Sequence, residues 1–200
     1  MTNKNINTPL EYRKIAEIIA PNSKVLDLGC GTGELMRYLS AVKHVNAQGI
    51  EIDEDAIYSC VEKGLTVFHS DIEGGIKAYP DNSFDYVIMY NSMQEIKKAD
   101  SLFEECFRLS KKIIVGFPNF AYVSARKDLF LGRSPVTKNL PYEWYNTPNL
   151  RFLSIEDFKD FCKKRKYKIL KEFFFGSRGK EVKFLPNLLA QTAVFVISKN

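Results

Sequence analysis

Two rhythms of apolar residues alternate along this chain. Short runs at 25–29, 45–51, 65–69, 85–90 and 112–117 have the length of strands, and Val25-Leu26-Asp27-Leu28 is apolar enough to be buried on both faces. The intervening stretches carry apolar residues at helical spacing: Leu35, Met36 and Leu39; Ala56, Ile57, Cys60 and Val61; Leu102, Phe103, Cys106, Phe107 and Leu109. Strand-helix alternation of this kind predicts an α/β fold with a parallel sheet. The boundaries have end signals. Thr8-Pro9-Leu10-Glu11 predicts a helix with Thr8 as N-cap, Pro9 in the first helical position and Glu11 completing a capping box, running to about Ala20 before Pro21-Asn22. Asp53 is placed to cap a helix from Glu54 to Lys63. Ser154-Ile155-Glu156-Asp157 opens another, with Ile155, Phe158, Phe161 and Cys162 inward. Tyr167 to Phe175 and Ala190 to Ile197 read as two last strands with no helix between them, only Gly176 to Leu189. A hairpin is the natural connection, so this pair is expected to be antiparallel.

Composition adds bounds. Two hundred residues, 45% apolar and 13% aromatic, suit one domain spanning 1–200 with a sizeable core. The net charge of +5 is spread along the chain except at Lys163-Lys164-Arg165-Lys166, which ends a predicted helix and so reads as a solvated helix end complementing the dipole. No nucleic-acid partner is expected. Cys30, Cys60, Cys106 and Cys162 form no C-x-x-C pair and neither histidine lies near a cysteine, so no metal site is expected. Reduced thiols suit a cytoplasmic protein, and only Cys30, inside a glycine loop, is placed for a nucleophilic role. Thr2 to Pro9 is polar, and no apolar run approaches the ~20 residues of a membrane helix, so no membrane association is expected.

The chemistry concentrates where the first strand runs into Gly29-Cys30-Gly31-Thr32-Gly33. Glycines there let the backbone turn sharply and approach a ligand where a Cβ would collide. Glu51 ends the second strand 20 positions after Gly31, where a carboxylate can accept hydrogen bonds from a ribose diol. The spacing G-x-G-x-G is not the dinucleotide G-x-G-x-x-G. Glu34 at the helix start would repel a pyrophosphate, which argues against NAD.

An acid-bearing strand followed by G-x-G-x-G resembles the first motif of class I S-adenosylmethionine (SAM)-dependent methyltransferases. That resemblance implies a Rossmann-like, three-layer fold with a mostly parallel seven-stranded sheet and a C-terminal antiparallel hairpin. It also implies SAM, or S-adenosylhomocysteine (SAH) as product, as the cofactor. Asp27 would then orient the methionine amino group, Gly29 and Gly31 would pass beneath the cofactor, Glu51 would hold the ribose, and Asp71 would contact the adenine amino group. Asp71 could equally be a helix N-cap. Cys30, Ile52, Ile72 and Tyr90, adjoining those positions, complete the expected cofactor-binding set.

Ligands of open parallel sheets lie outside the carboxyl ends of the strands, so an acceptor is expected near Tyr90 to Glu95 and Phe117 to Phe120. Tyr90, Asn91 and Glu95 are the candidates for catalysis, each with an ordinary structural alternative. The histidine or Asn-Pro-Pro-Tyr that many relatives carry after the fourth strand is absent. His44 and His69 read as structural or surface residues.

Residues 119–153 break the alternation and are too long for a plain loop, which suggests a lid or a partner-binding insertion. Phe117-Pro118-Asn119-Phe120, Pro135-Val136-Thr137-Lys138 and Leu140-Pro141-Tyr142-Glu143-Trp144-Tyr145-Asn146-Thr147-Pro148-Asn149, with the glycine loop and Phe84-Asp85-Tyr86-Val87-Ile88, resemble the MetW family of methionine biosynthesis over nearly the whole chain. That resemblance implies a protein acting with a homoserine O-acyltransferase. Two functions follow as expectations: a SAM-dependent methyltransferase with a small-molecule or protein acceptor, or a subunit that supports the acyltransferase, docks through 119–149 and uses the pocket as a sensor.

Overall fold

The computed structural model describes residues 8–137 and 139–199, so Lys138 of the Pro-Val-Thr-Lys block lies outside the described residues. Seven strands form one sheet in the order β3-β2-β1-β4-β5-β7-β6. They are β1 (Lys24–Leu28), β2 (Asn46–Glu51), β3 (Thr66–His69), β4 (Tyr86–Tyr90), β5 (Ile113–Pro118), β6 (Tyr167–Phe175) and β7 (Thr192–Lys199). β1 to β5 pair in parallel. β7 runs antiparallel between β5 and β6, so the chain's last strand enters the interior of the sheet and leaves β6 at the edge. Alternate residues along each central strand feed two cores. Ile113, Val115 and Phe117 of β5 and Ala193, Phe195 and Ile197 of β7 face one; Ile114, Val194 and Val196 face the other.

Helices α1 (Leu10–Ile18), α2 (Glu34–Lys43) and α3 (Glu54–Glu62) cover the second face through Ile15, Leu35, Met36, Leu39 and Cys60. On the first face lie α5 (Ala99–Leu109) and α7 (Ile155–Lys164), with Phe103, Cys106, Phe158 and Cys162 buried and the Phe117 and Phe195 rings stacked 5.9 Å apart. Shorter helices are α4 (Ile72–Gly75), α6 (Val123–Phe130) within the insertion, and α8 (Pro186–Leu189). α8 and a single turn at Ser177–Gly179 correct the expectation of no helix between the last two strands; four residues are too few for a helical apolar period to show.

Two capping expectations divide. Ser154 and Asp157 close a full capping box at α7, and Asp53 accepts from the Ala56 N–H at 2.8 Å. α1, however, starts at Leu10 with extended Pro9 as its N-cap and no side-chain cap bond, so Thr8 and Glu11 do not form the expected box. Pro9 occupies the cap position itself, which leaves the Thr8 hydroxyl one residue too far out. Val61, expected on the inner face of α3, is exposed; β3 stands at the sheet edge, where α3 covers only the side nearest Cys60. Among the described residues no helix is long and apolar enough to cross a membrane.

Candidate functional site

The chain crosses from one side of β1 to the other when it passes from β3 to β4. The carboxyl ends of β1, β2 and β4 therefore meet where the strand order reverses, the place at which open α/β sheets hold ligands. A cavity of about 830 Å3 opens there. Gly29 and Gly31 form its floor, Glu51 and Ile52 one wall, Ser70, Asp71 and Ile72 a second, and Asn91, Ser92 and Glu95 a third; Pro148 and Leu150 reach it from the insertion.

The floor is built from backbone that only glycine adopts without strain. Gly29 has φ +72, and a Cβ on it would come within 2.6 Å of the Ser92 Cβ, so the two residues are packed as a pair. The Ser92 hydroxyl is buried and donates to the Leu28 carbonyl at 2.6 Å, tying the end of β4 to the end of β1. Gly31 has φ +52, and a Cβ there would meet no protein atom within 4 Å. It lines the cavity, so the space above it is left for a ligand. Glu51 does more than face this space. Its Oε2 accepts from the Gly31 N–H at 2.7 Å, and its Oε1 from the Ile52 and Asp53 N–H groups at 2.8 and 3.0 Å. Three of a carboxylate's roughly four acceptor sites are thus used, with one left at Oε2 for a ligand hydroxyl. Lys63 secures the other side of the loop, donating to the Thr32 carbonyl at 2.6 Å and pairing with Glu34 at 3.0 Å.

Asp27 sits beneath this floor, 2% exposed. Burial, and then the Glu51 carboxylate, push its carboxyl up from 3.8 to about 7. It raises the pKa of Tyr12, Cys30 and Cys60 in turn, and among the described residues it forms no ion pair. Asp71 caps α4 by accepting from the Gly74 N–H at 3.0 Å, as its capping reading expected, and its side chain stands at the cavity wall.

Other expected site residues lie elsewhere. The Cys30 thiol packs against Gly49 of β2, where a Cβ would stand 2.4 Å from its Sγ. Burial, with Asp27 next, raises its pKa far above the ordinary thiol value, so the nucleophilic role considered for it does not suit this setting. Tyr90 does not line the first cavity. Its ring meets Tyr12 edge-on at 5.6 Å, and it borders a second cavity. Burial pushes its hydroxyl well above 10, which makes it a poor base at neutral pH. Asn91, in the left-handed region at φ +59, and Glu95 border both cavities; partial burial and then Glu51 raise the Glu95 carboxyl above its usual range.

The insertion supplies what the sequence signals did not show. The Gln94 carbonyl accepts from the Leu150 and Arg151 N–H groups, each at 2.9 Å, and the Arg151 guanidinium donates to the Ile96 and Lys97 carbonyls at 3.0 and 2.5 Å. This strap holds Pro148 and Leu150 at the cavity. A single arginine after a long irregular segment carries no sequence signal for such a role. Asn119 is structural: its amide joins the end of β5 to the Asn187 and Ala190 carbonyls at 3.1 and 2.9 Å. Beyond the strap the insertion exposes large aromatics beside charged residues, with Phe130 90%, Trp144 75% and Tyr145 70% exposed.

Solved structures with a similar fold belong to the class anticipated. A SAM-dependent methyltransferase from Archaeoglobus fulgidus superposes with TM-score 0.72 over 95% of this chain and 92% of that one, at 19% identity. The [4+2]-cyclase SpnF superposes with TM-score 0.67 over 95% and 80%, at 16% identity. Likeness at that level carries the fold, a Rossmann-like class I methyltransferase fold, and the cyclase's presence shows that one fold serves more than one chemistry. The sequence matches the family described as "Methionine biosynthesis protein MetW" over residues 10–197. It is 32% identical, over 98% of its length, to the "Bifunctional methionine biosynthesis protein MetXA/MetW" of Rhodopirellula baltica, and spans 33% of that longer protein. With the match covering nearly every strand and helix described above, this chain belongs to the MetW family and is a methyltransferase-like protein of methionine biosynthesis.

Proposed function

We propose that the chain binds SAM in the cavity above Gly29 and Gly31 and works with a homoserine O-acyltransferase. The observation that carries the cofactor reading is the open space over Gly31 between the Glu51 carboxylate and the Asp71 cap. A SAM molecule there would place its ribose at Glu51, its adenine against the exposed face of Ile52 near Asp71, and its ammonium toward Asp27, which forms no ion pair among the described residues. The acyltransferase reading rests on the MetXA/MetW fusion, because joining two activities in one chain favours pairs that meet as separate proteins. The exposed aromatics of 119–149, with an insertion expected to act as lid or partner-binding segment, supply the docking surface.

Calorimetry with SAH tests the cofactor assignment. Glu51 is a poor place to mutate first, since its loss also frees the Gly31 loop. Gly31→Ala is cleaner: a methyl group there strikes nothing in the protein but occupies the cofactor's space. It is expected to cost about 1–2 kcal/mol of stability from the left-handed backbone and to weaken SAH binding at least tenfold. Wild-type protein that takes up no SAH would end this reading. Mixing with the acyltransferase, with and without SAM, then separates a sensor from a constitutive partner by whether acyl transfer responds to SAM.

A second reading, methyl transfer to an acceptor unrelated to that partner, is favoured by the second cavity, which meets the first at Asn91 and Glu95. Transfer of label from methyl-labelled SAM to any acceptor in a cell extract would support it, and label remaining on SAM with the cofactor demonstrably bound would count against it.

A further inference from the structure

The second cavity, about 840 Å3, lies between the start of α1 and residues 139–142 of the insertion. Three side chains of ordinarily charged type line it: Glu11 and Arg13 from α1, and Glu95 from the loop after β4. Among the described residues none of the three forms an ion pair, although the same helix pairs Lys14 with Glu17 at 2.9 Å. Glu11 and Arg13 stand two positions apart on a helix, where side chains do not face each other, so they do not neutralise one another.

Gln94 provides an independent sign. It lines the same cavity and is 7% exposed. Its Nε2 donates to the Asn91 carbonyl at 2.6 Å, which fixes the amide orientation, because only the nitrogen can donate to a carbonyl. Oε1 is then left buried without a donor. An acceptor stranded in this way costs roughly 1–3 kcal/mol, which a ligand carrying N–H groups would offset.

An anion alone would meet Glu11 and Glu95, and a cation alone would leave the Arg13 guanidinium without a partner. A small molecule with both charges satisfies the wall: an ammonium has three donors for Glu11, Glu95 and Gln94 Oε1, and a carboxylate matches the guanidinium fork. We infer that this cavity is a binding site for a free amino acid, held through its ammonium by Glu11, Gln94 and Glu95 and through its carboxylate by Arg13. The cavity's volume leaves room for a side chain. The inference rests on the SAM reading only in that the two cavities share Asn91 and Glu95, which makes the amino acid a neighbour of the cofactor.

Saturation-transfer NMR on the full chain, with and without SAH, provides the test. The probes are the twenty common L-amino acids, with ethanolamine as the amine alone and glycolate as the acid alone. At least one amino acid is expected to bind, at least tenfold more tightly than ethanolamine or glycolate, and Arg13→Gln to weaken it at least tenfold while SAH affinity stays within twofold. Binding of none of the twenty, equal binding of a one-charge probe, or binding untouched by Arg13→Gln overturns the inference. SAH calorimetry on the same samples keeps the two readings apart. Uptake of SAH without any amino acid sinks only the second site, whereas amino-acid binding without SAH uptake sinks only the cofactor assignment.

Discussion

Asp27 is the residue at which fold and ligand compete most directly. Its place after two apolar residues made it legible as the acid of a cofactor motif, but its cost is not legible, since sequence does not show that Glu51 and burial act on it together. With a folded-state pKa of about 7 against 3.8 ordinarily, the carboxyl favours the native state when protonated. That contribution is whole below pH ~4, is lost as pH rises toward 7, and leaves the ligand-free protein strained above 7. Asp27→Asn is therefore expected to stabilise the ligand-free protein by roughly 2–4 kcal/mol at pH 8 and to leave it unchanged near pH 4, as measured by urea unfolding at both values. The same substitution removes the charge offered to an ammonium, so SAH affinity at pH 8 should fall at least tenfold. A variant that is neither more stable nor weaker in binding at pH 8 would show that Asp27 is ionised without cost. Asp71 teaches a related lesson. Capping and ligand contact were alternatives on the sequence, yet one carboxylate both accepts from Gly74 and borders the cavity, because α4 begins at the cavity wall.

Among the elements, those whose register is internal to the chain segment were the readable ones. β1 to β5 fall within a residue of their expected limits because each is a short apolar run between helical periods. The capping box of α7 was equally visible, since Ser154 and Asp157 need only each other. The element that closes the site was not visible. The strap from Arg151 to the loop after β4 joins residues 54 and 55 positions apart through main-chain carbonyls, and any side chain could precede or follow those carbonyls. Arg151→Ala removes both guanidinium bonds but leaves the Leu150 and Arg151 N–H groups on the Gln94 carbonyl. The expected result is a segment 148–150 that opens more often. Stability should drop by about 1–2 kcal/mol, and hydrogen exchange at Leu150 should speed up. SAH should dissociate several-fold faster, with little change in association, because Pro148 and Leu150 form the cavity's outer wall and not its floor. Unaltered dissociation in a protein whose exchange has quickened would mean that the strap does not cover the ligand.

For the molecule as a whole, alternation predicted a parallel sheet, but an apolar strand does not encode which neighbour it pairs with. That β7 enters between β5 and β6 follows from no period in the sequence, which predicted only that the last two strands run antiparallel. The topology puts the cavities at one end of the sheet and the insertion beside them, so a partner seated on the insertion would sit close to the strap. Phe130 and Trp144 expose most of their surface, whereas Phe120 and Phe152 of the same segment pack on each other at 4.8 Å. The insertion therefore has an aromatic pair packed on itself, with Phe152 still 53% exposed, and a more exposed set in Phe130 and Trp144. Removing the more exposed aromatics should leave folding nearly unchanged, within about 0.5 kcal/mol, because little is buried to lose. If the acyltransferase docks there, the doubly substituted Phe130→Ser, Trp144→Ala protein should bind it at least a hundredfold more weakly, since anchors of this kind carry about 2 kcal/mol or more each. SAH affinity in the absence of the partner should not move. Sedimentation of the purified pair reads the first effect and calorimetry the second. A complex that survives both substitutions would place the partner on another face, while loss of the complex together with loss of SAH binding would mean that the insertion had come away from the cavity.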